Sequence, residues 1–309
     1  MPAPYRSPYV NFDLVSYFYS LLQQVPEGRV TTYGELAKAL GDVTAARACG
    51  YMLSIVSNHD EIPSHRVIRS DFTIGKYSHP LGEQEKRRRL IGEGARISDG
   101  KVTEPRMMLA EEFETGHPLQ KMREEQEMLS QRVITSDDYD ASLLGAVDVS
   151  YDDLMGYACM DIYSGGEVIQ REFVGKVKFP YIPGYLSYRE HFFIEKLAKG
   201  FKGLLLIDGN GILHPRRIGL ASFSGIMLDV PTIGVAKSLL LGKVENDWIF
   251  HNSQKLGYML NKRAFISPGH RISLESSVKE IRKLSGNKYP EILRKVDRRT
   301  VHLRNAAGK

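Results

Sequence analysis

Residues 203–211, "GLLLIDGNG", decide how this chain is read. Four apolar residues in succession, Leu204 to Ile207, bounded by glycines, make a short buried strand. Asp208 ends that run, directly before Gly209-Asn210-Gly211. The acid therefore stands at the C-terminal edge of a strand, where open α/β sheets build their sites. On both sides the pattern is α/β. Upstream, "LLGAVDVSY" (143–151), "GYACMDIYS" (156–164) and "EVIQREFVGKV" (167–177) read as three successive antiparallel strands, and "SYREHFFIEKLAKG" (187–200) reads as a helix. Downstream, "PTIGVAKS" (231–238) is another strand, ending in Lys237.

Two more acids stand out against this background. Asp148 interrupts an apolar strand, where an unpaired charge costs several kcal/mol unless it is paired or metal-bound. Glu190 opens the helix after "FPYIPGYLSYR" (179–189). Carboxylates on adjacent strands and a nearby helix can converge on a hard cation such as Mg²⁺, which takes oxygen ligands and substrate phosphates. On the residues alone, simple pairing with arginines or helix capping stays open beside that reading.

With 309 residues, the chain is long enough for two domains that each bury a core. It has 42% hydrophobic and 26% charged residues, the balance of a globular protein. No apolar run approaches the roughly 18 residues of a membrane span. The start, "MPAPYRSPYVNFDLVSYF", lacks the layout of a secretory signal. Cys49 and Cys159 cannot form a disulfide framework, so the cytoplasm is the expected compartment. Neither a membrane nor an obligate protein partner is called for.

Charge is unevenly spread. Residues 1–105 carry 13 Lys/Arg against 12 Asp/Glu, residues 106–140 carry 4 against 9, and residues 141–309 carry 25 against 16. The basic C-terminal part points to a polyanionic partner, most simply nucleic acid.

The N-terminal third has a different grain. "FDLVSYFYSLLQQV" (12–25) has helical spacing and "PEGRV" breaks it. Thr32 with Glu35 forms a capping box, and Gly41 stops the helix that follows. "TAARACGYMLSIVSN" (44–58) starts a third helix, capped by Thr44, whose small residues let a backbone approach and from which Arg47 projects. These features predict a domain over 1–105, a helical linker over 106–120 and an α/β domain over 121–309.

The blocks "AVDVSY", "FPYIPGYLSYRE", "LLLIDGNGILHPRRIGLAS" and "DVPTIGVAKS" together resemble endonuclease V, the deaminated-base endonuclease with an RNase H-like mixed sheet flanked by helices. The similarity extends from about 120 to 305. It implies Mg²⁺-dependent cleavage, with Mn²⁺ as a substitute, at the second phosphodiester 3′ of deoxyinosine. Asp148 and Asp208 match the family's metal-binding aspartates and Glu190 its catalytic, metal-site glutamate. Lys237 and His270 match basic residues beside the scissile phosphate, and His214 matches another site residue. Pro180-Tyr181-Ile182-Pro183 resembles the family's wedge, a rigid tip that fills the gap left by an extruded base. Gly184, Leu186 and Gly209 match positions lining the hypoxanthine pocket. One departure is Phe223, where many members carry His.

Residues 9–104 resemble the DNA-binding domain of alkylguanine-DNA alkyltransferases and alkyltransferase-like proteins, a helix-turn-helix module. The matching blocks are "VPEGRVTTYGELA", "AARACGYMLSIVSN", "IPSHRVI" and "RRRLIGEG". Tyr33 and Arg47 match the residues that displace the target phosphate and fill the duplex after base extrusion, and Asn58 the turn before the active-site loop. Ser64, His65 and Glu93 stand where the family holds its Cys-His-Glu relay, with Arg66 beside them. A serine hydroxyl is far less acidic than a thiol, so alkyl transfer is not expected; the resemblance implies a reader of alkylated guanine, with a generic DNA-binding arm carrying a vestigial pocket as the alternative. Together the two resemblances imply a DNA-repair endonuclease acting on damaged double-stranded DNA. Single-stranded DNA and inosine RNA are further partners this implies, and two readings compete: a non-catalytic damage-binding protein, and an inosine-specific ribonuclease.

Overall fold

The computed structural model describes residues 5–285 and 288–307. It divides into two compact units, one of residues 13–123 with 178–183, the other of residues 1–12, 124–177 and 184–309.

The smaller unit is mostly helical. Helix α1 (Leu14–Gln23) is capped by Asp13, and short strand β1 (Thr31–Thr32) leads into α2 (Tyr33–Leu40). Thr32 accepts from the Glu35 amide at 3.2 Å, and Gly41 closes the helix in the left-handed region at φ +99°, as the capping box and stop residue require. The third helix differs from expectation at its start. Thr44 does not cap it: a 3₁₀ turn over Val43–Ala45, capped by Asp42, precedes α3 (Ala46–Ser54), which starts from Ala45 with no side-chain cap. A 3₁₀ turn over Ser64–Arg66 then feeds β2 (Val67–Ile68), which pairs in parallel with β1. Helix α4 (Gly82–Gly92), the hairpin β3 (Ile97–Ser98) with β4 (Lys101–Val102), and one turn α5 (Pro105–Met108) follow. The segment expected as a helical linker is not continuous helix. Residues 109–117 form no helix, with Ala110 donating to Val30 at 2.7 Å, and helix resumes only at α6 (Pro118–Ser130).

The larger unit is built on a nine-stranded mixed sheet. The expected strands are β5 (Leu143–Tyr151), β6 (Met155–Ser164) and β7 (Glu167–Lys176), all antiparallel. Helix α7 (Leu186–Ala198) leads to β8 (Leu204–Asp208), and α8 (Leu220–Leu228) to β9 (Thr232–Ala236). Strands β10 (Lys243–Glu245), β11 (Trp248–His251), β12 (Gln254–Leu260) and β13 (Ala264–His270) complete the sheet, followed by α9 (Leu274–Ser285) and α10 (Glu291–Ala307). The order is β10-β11-β12-β13-β9-β8-β5-β6-β7, with β5, β8 and β9 parallel.

Register decides where the acids go. β5 and β8 pair as Ala146 with Leu206 and Val147 with Ile207, so Asp148 and Asp208 are the next rung. Alternation of side chains puts both on the face of Ala146, Leu204 and Leu206, which packs on Leu293 and Val296 of α10. The opposite face, with Val147, Leu205 and Ile207, packs on Phe193, Ile194 and Leu197 of α7. Among the described residues no helix is long and apolar enough to cross a membrane.

Candidate active site

Asp148, Asp208 and Asp297 each offer a carboxylate oxygen within 4.8 Å of the others, all three partly buried. Asp297 escaped the sequence reading. It lies on α10 beside the inward stripe Leu293, Val296 and Thr300, and only that stripe could have marked it as facing the sheet. Lys237, one residue past β9, bridges the cluster: its Nζ stands 2.6 Å from Asp208 and 2.8 Å from Asp297.

The electrostatics are those of crowded anions. Burial, then the charge of Asp208, raises Asp148 to about 7. Burial also raises Asp208, against the opposing pull of Lys237. Burial works to lower Lys237, but the attraction of Asp208 and Asp297 outweighs it and keeps the ammonium charged. Glu190 is buried on α7, and burial followed by the charge of Asp148 raises it well above its usual range. Tyr151 and Tyr289 flank the acids with buried hydroxyls, Tyr151 beside Glu190 and Tyr289 beside Asp208. This donor set, all carboxylate oxygen with one cation, fits a hard divalent ion such as Mg²⁺. Soft or nitrogen-seeking metals have no matching ligands in it.

A pH dependence follows. Ligating carboxylates must lose their protons, and Asp148 holds its own up to about 7. Mg²⁺ affinity should therefore fall by roughly tenfold per pH unit below that point and level off above it. Calorimetric titration of the full chain at pH 6 and pH 8 checks this; equal affinities would contradict it.

His270 is not brought to the cluster. β13 runs antiparallel to β9, with Phe265 opposite Ala236 and His270 opposite Thr232, so His270 stands at the other end of β9 from Lys237. There its Nδ1 accepts from the Ile134 amide at 3.2 Å, and burial lowers it to about 4. Matching a basic residue by motif order does not say which end of a strand it occupies.

The loop ahead of α7 is tightly held. Gly184 sits at φ +82°, a left-handed conformation that suits glycine. Its carbonyl accepts from Gln126 Nε2 at 3.1 Å and from the Arg216 guanidinium. Arg216 donates in turn to Gln126 Oε1 at 2.7 Å and lies 4.7 Å over the Tyr185 ring. Neither Gln126 nor Arg216 was singled out from sequence, because each reads as an ordinary surface polar residue. His214 lies buried beside Arg216, and burial lowers it to about 3. Leu186 opens α7. Gly209 follows Asp208, and Gly211 is a position where a Cβ would meet the Pro268 carbonyl at 2.0 Å. Of residues 180–183, Tyr181 is 62% exposed whereas Ile182 is buried, which makes Tyr181 the one projecting ring. Phe223 is fully buried, 5.3 Å from both Tyr188 and His191 in edge-on contact. It packs the seam between α7 and α8.

In the smaller unit, His65 Nε2 stands 2.7 Å from Glu93, which Arg66 also grips through Nε and Nη2. Burial acts to raise Glu93, but Arg66 and His65 overcome it and hold its carboxyl low. Burial lowers His65 despite that partner. Asn58 accepts from the amides of Asp60 and Glu61 at 3.3 Å, shaping the turn before the loop. Ser64 is buried, with Oγ 3.3 Å from His59 Nδ1. It lines a cavity of about 420 Å³ with Tyr33, Gly50, Arg69, Tyr77 and Lys86. Lys86 is an unforeseen wall: burial lowers it to about 7, and it donates to Val67 O at 2.6 Å. Arg47 lies exposed on α3.

Residues 127–298 match the endonuclease V family, and residues 14–95 match the DNA-binding domain of 6-O-methylguanine DNA methyltransferase. A bifunctional methyltransferase/endonuclease of Picrophilus torridus is 50% identical over 294 residues, covering 95% of this chain and 98% of that protein. The crystal structure of endonuclease V from Streptomyces avermitilis is 29% identical with a TM-score of 0.57, covering 61% of this chain and 94% of that one. Ciona intestinalis endonuclease V, in complex with a 23mer DNA containing an inosine followed by a ribo-adenosine, is 26% identical with a TM-score of 0.54, covering 61% of this chain and 98% of that one. The chain belongs to the endonuclease V family, a family of metal-dependent nucleases, and carries ahead of its nuclease domain the DNA-binding domain of the methylguanine methyltransferases.

Proposed function

We propose that the chain is a Mg²⁺-dependent DNA-repair endonuclease that recognises deoxyinosine and cuts the second phosphodiester on its 3′ side. The observation that carries this reading is the rung of Asp148 and Asp208 on adjacent parallel strands, closed by Asp297. These three would hold the cation, with Glu190 beside them. Mg²⁺ when bound, or Mn²⁺ in its place, would polarise the scissile phosphate and lower the pKa of an attacking water. Lys237 is placed to neutralise charge growing on the phosphoryl oxygens. Tyr181 would fill the duplex gap, while the backbone at Gly184, Leu186 and Gly209 reads the extruded base. The Gln126–Arg216 pair fixes the carbonyl of Gly184 and so the loop around it. Phe223 removes a polar side chain from the α7–α8 seam but leaves the acids in place.

The N-terminal unit would read O⁶-alkylated guanine without accepting the alkyl group, since Ser64 holds the acceptor position. Tyr33 and Arg47 would open the duplex for it. Two free, buried cysteines suit a reducing compartment such as the cytoplasm.

The discriminating experiment compares initial nicking rates on deoxyinosine duplex, matched inosine RNA, single-stranded deoxyinosine DNA and undamaged duplex, all with Mg²⁺. Duplex deoxyinosine DNA is expected to be cut at least about tenfold faster than the others. Faster cutting of inosine RNA would move the substrate to RNA.

A further inference from the structure

An open groove of about 720 Å³ lies between the β11–β12 hairpin and α9, and shares no residue with the carboxylate cluster. Trp248, the chain's single tryptophan, forms its wall with Tyr258, the two rings meeting edge-on at 4.9 Å. Lys255 stands 4.1 Å over the indole. Arg282 lies 5.0 Å over the Tyr258 ring and donates to its hydroxyl at 2.5 Å. From α9, Lys279 and Lys283 line the same groove, both exposed to solvent, with Lys283 also paired to Glu280 at 2.7 Å. The one acid in the lining, Glu275, is paired with Lys255 at 2.9 Å.

We infer that this groove binds a single-stranded stretch of nucleic acid, an unpaired base lying against Trp248 and its phosphates on Lys279, Arg282 and Lys283. Aromatic platforms beside cations are how single strands are held without sequence preference. A paired base keeps its faces stacked on its neighbours, so only an unpaired one can use an indole. The net positive charge of residues 141–309 supplies the long-range attraction. The inference rests on the reading of the chain as a nuclease. It adds a contact outside the cutting site, which would hold strand released from the duplex during base extrusion.

The lone tryptophan makes the test direct. The full chain, in EDTA so that nothing is cut, is titrated with a short undamaged oligothymidylate carrying a fluorescein label. Trp248 emission is expected to fall with the same midpoint as the rise in anisotropy. Trp248→Leu should weaken binding roughly tenfold, and Trp248→Phe should restore it. The double substitution Lys279→Glu, Lys283→Glu, confined to exposed positions, should weaken binding by a similar factor and flatten its salt dependence. Rising anisotropy with unchanged indole emission overturns the inference, as do Leu and double variants that bind like the parent. An acidic peptide that competes for the groove more strongly than the oligothymidylate overturns it too. Mg²⁺-dependent nicking by the same preparation separates the two readings. Nicking with a silent indole removes the groove and leaves the nuclease, whereas quenching without nicking supports the groove and removes the nuclease.

Discussion

Asp148→Asn should abolish Mg²⁺-dependent nicking, by at least about a thousandfold, and at the same time make the metal-free protein more stable. The loss follows from the proposed role: Asp148 offers one of three carboxylate oxygens that lie within 4.8 Å of one another and would hold the cation, and an amide offers a weaker, neutral ligand. The gain follows from the crowding. Burial and Asp208 raise Asp148 to about 7, so the folded chain takes up a proton that the unfolded chain releases near pH 4. Metal-free stability from this group is therefore complete below about pH 4 and is lost as pH rises through about 7. Asn carries no such loss. At pH 8 the variant should gain about 2–4 kcal/mol, with a higher melting temperature for the nuclease unit, and near pH 4 it should gain nothing. Thermal unfolding of both proteins in EDTA at the two pH values checks the sign. A variant that is less stable at pH 8 would mean that the acids are held by something other than mutual repulsion.

Ser64→Cys should convert the N-terminal unit from a reader into an alkyl acceptor. His65 and Glu93 are already joined at 2.7 Å, and Arg66 and the Gly28 amide hold the carboxylate from the other side. His65 Nδ1 is buried with no partner among the described residues, and His59 Nδ1 stands 3.3 Å from Ser64 Oγ. A thiol near pKa 8.5 can be brought into range by such neighbours, whereas a serine hydroxyl cannot. The parent should bind O⁶-methylguanine duplex and transfer nothing. The variant should take up one methyl group per chain, at position 64, visible as a mass increment on that peptide. No transfer by a folded variant that still binds the lesion would show that the relay geometry is not competent, and that position 64 lies out of line with the methyl carbon.

How much of this was legible beforehand varies with the kind of signal. The run Leu204–Ile207 before Asp208 marked a buried strand and the edge where the carboxylates gather, because burial and strand ends leave composition signals. The capping box at Thr32 and Glu35 was equally readable, since cap chemistry is local. The start of the third helix was not: Thr44 is a good cap by type, but a 3₁₀ turn capped by Asp42 takes it up and the helix begins without a side-chain cap. Asp297 was hidden among the cations of "RKVDRR" on an amphipathic helix, where an acid reads as surface. Only the packing of α10 across the β5–β8 rung gives it a role. His270 shows the converse. Its block sits in the expected order, but antiparallel pairing sends it to the far end of β9, and strand direction is not written in motif order.

The most direct measurement is a nicking assay on 5′-labelled duplex containing one deoxyinosine, with Mg²⁺ and with EDTA, the product length read at single-nucleotide resolution. The proposed function predicts one product, ending one nucleotide beyond the deoxyinosine, formed with Mg²⁺ and absent in EDTA and with Asp148→Ala. Equal nicking in EDTA, or no Mg²⁺-dependent nick by the parent chain, would contradict it.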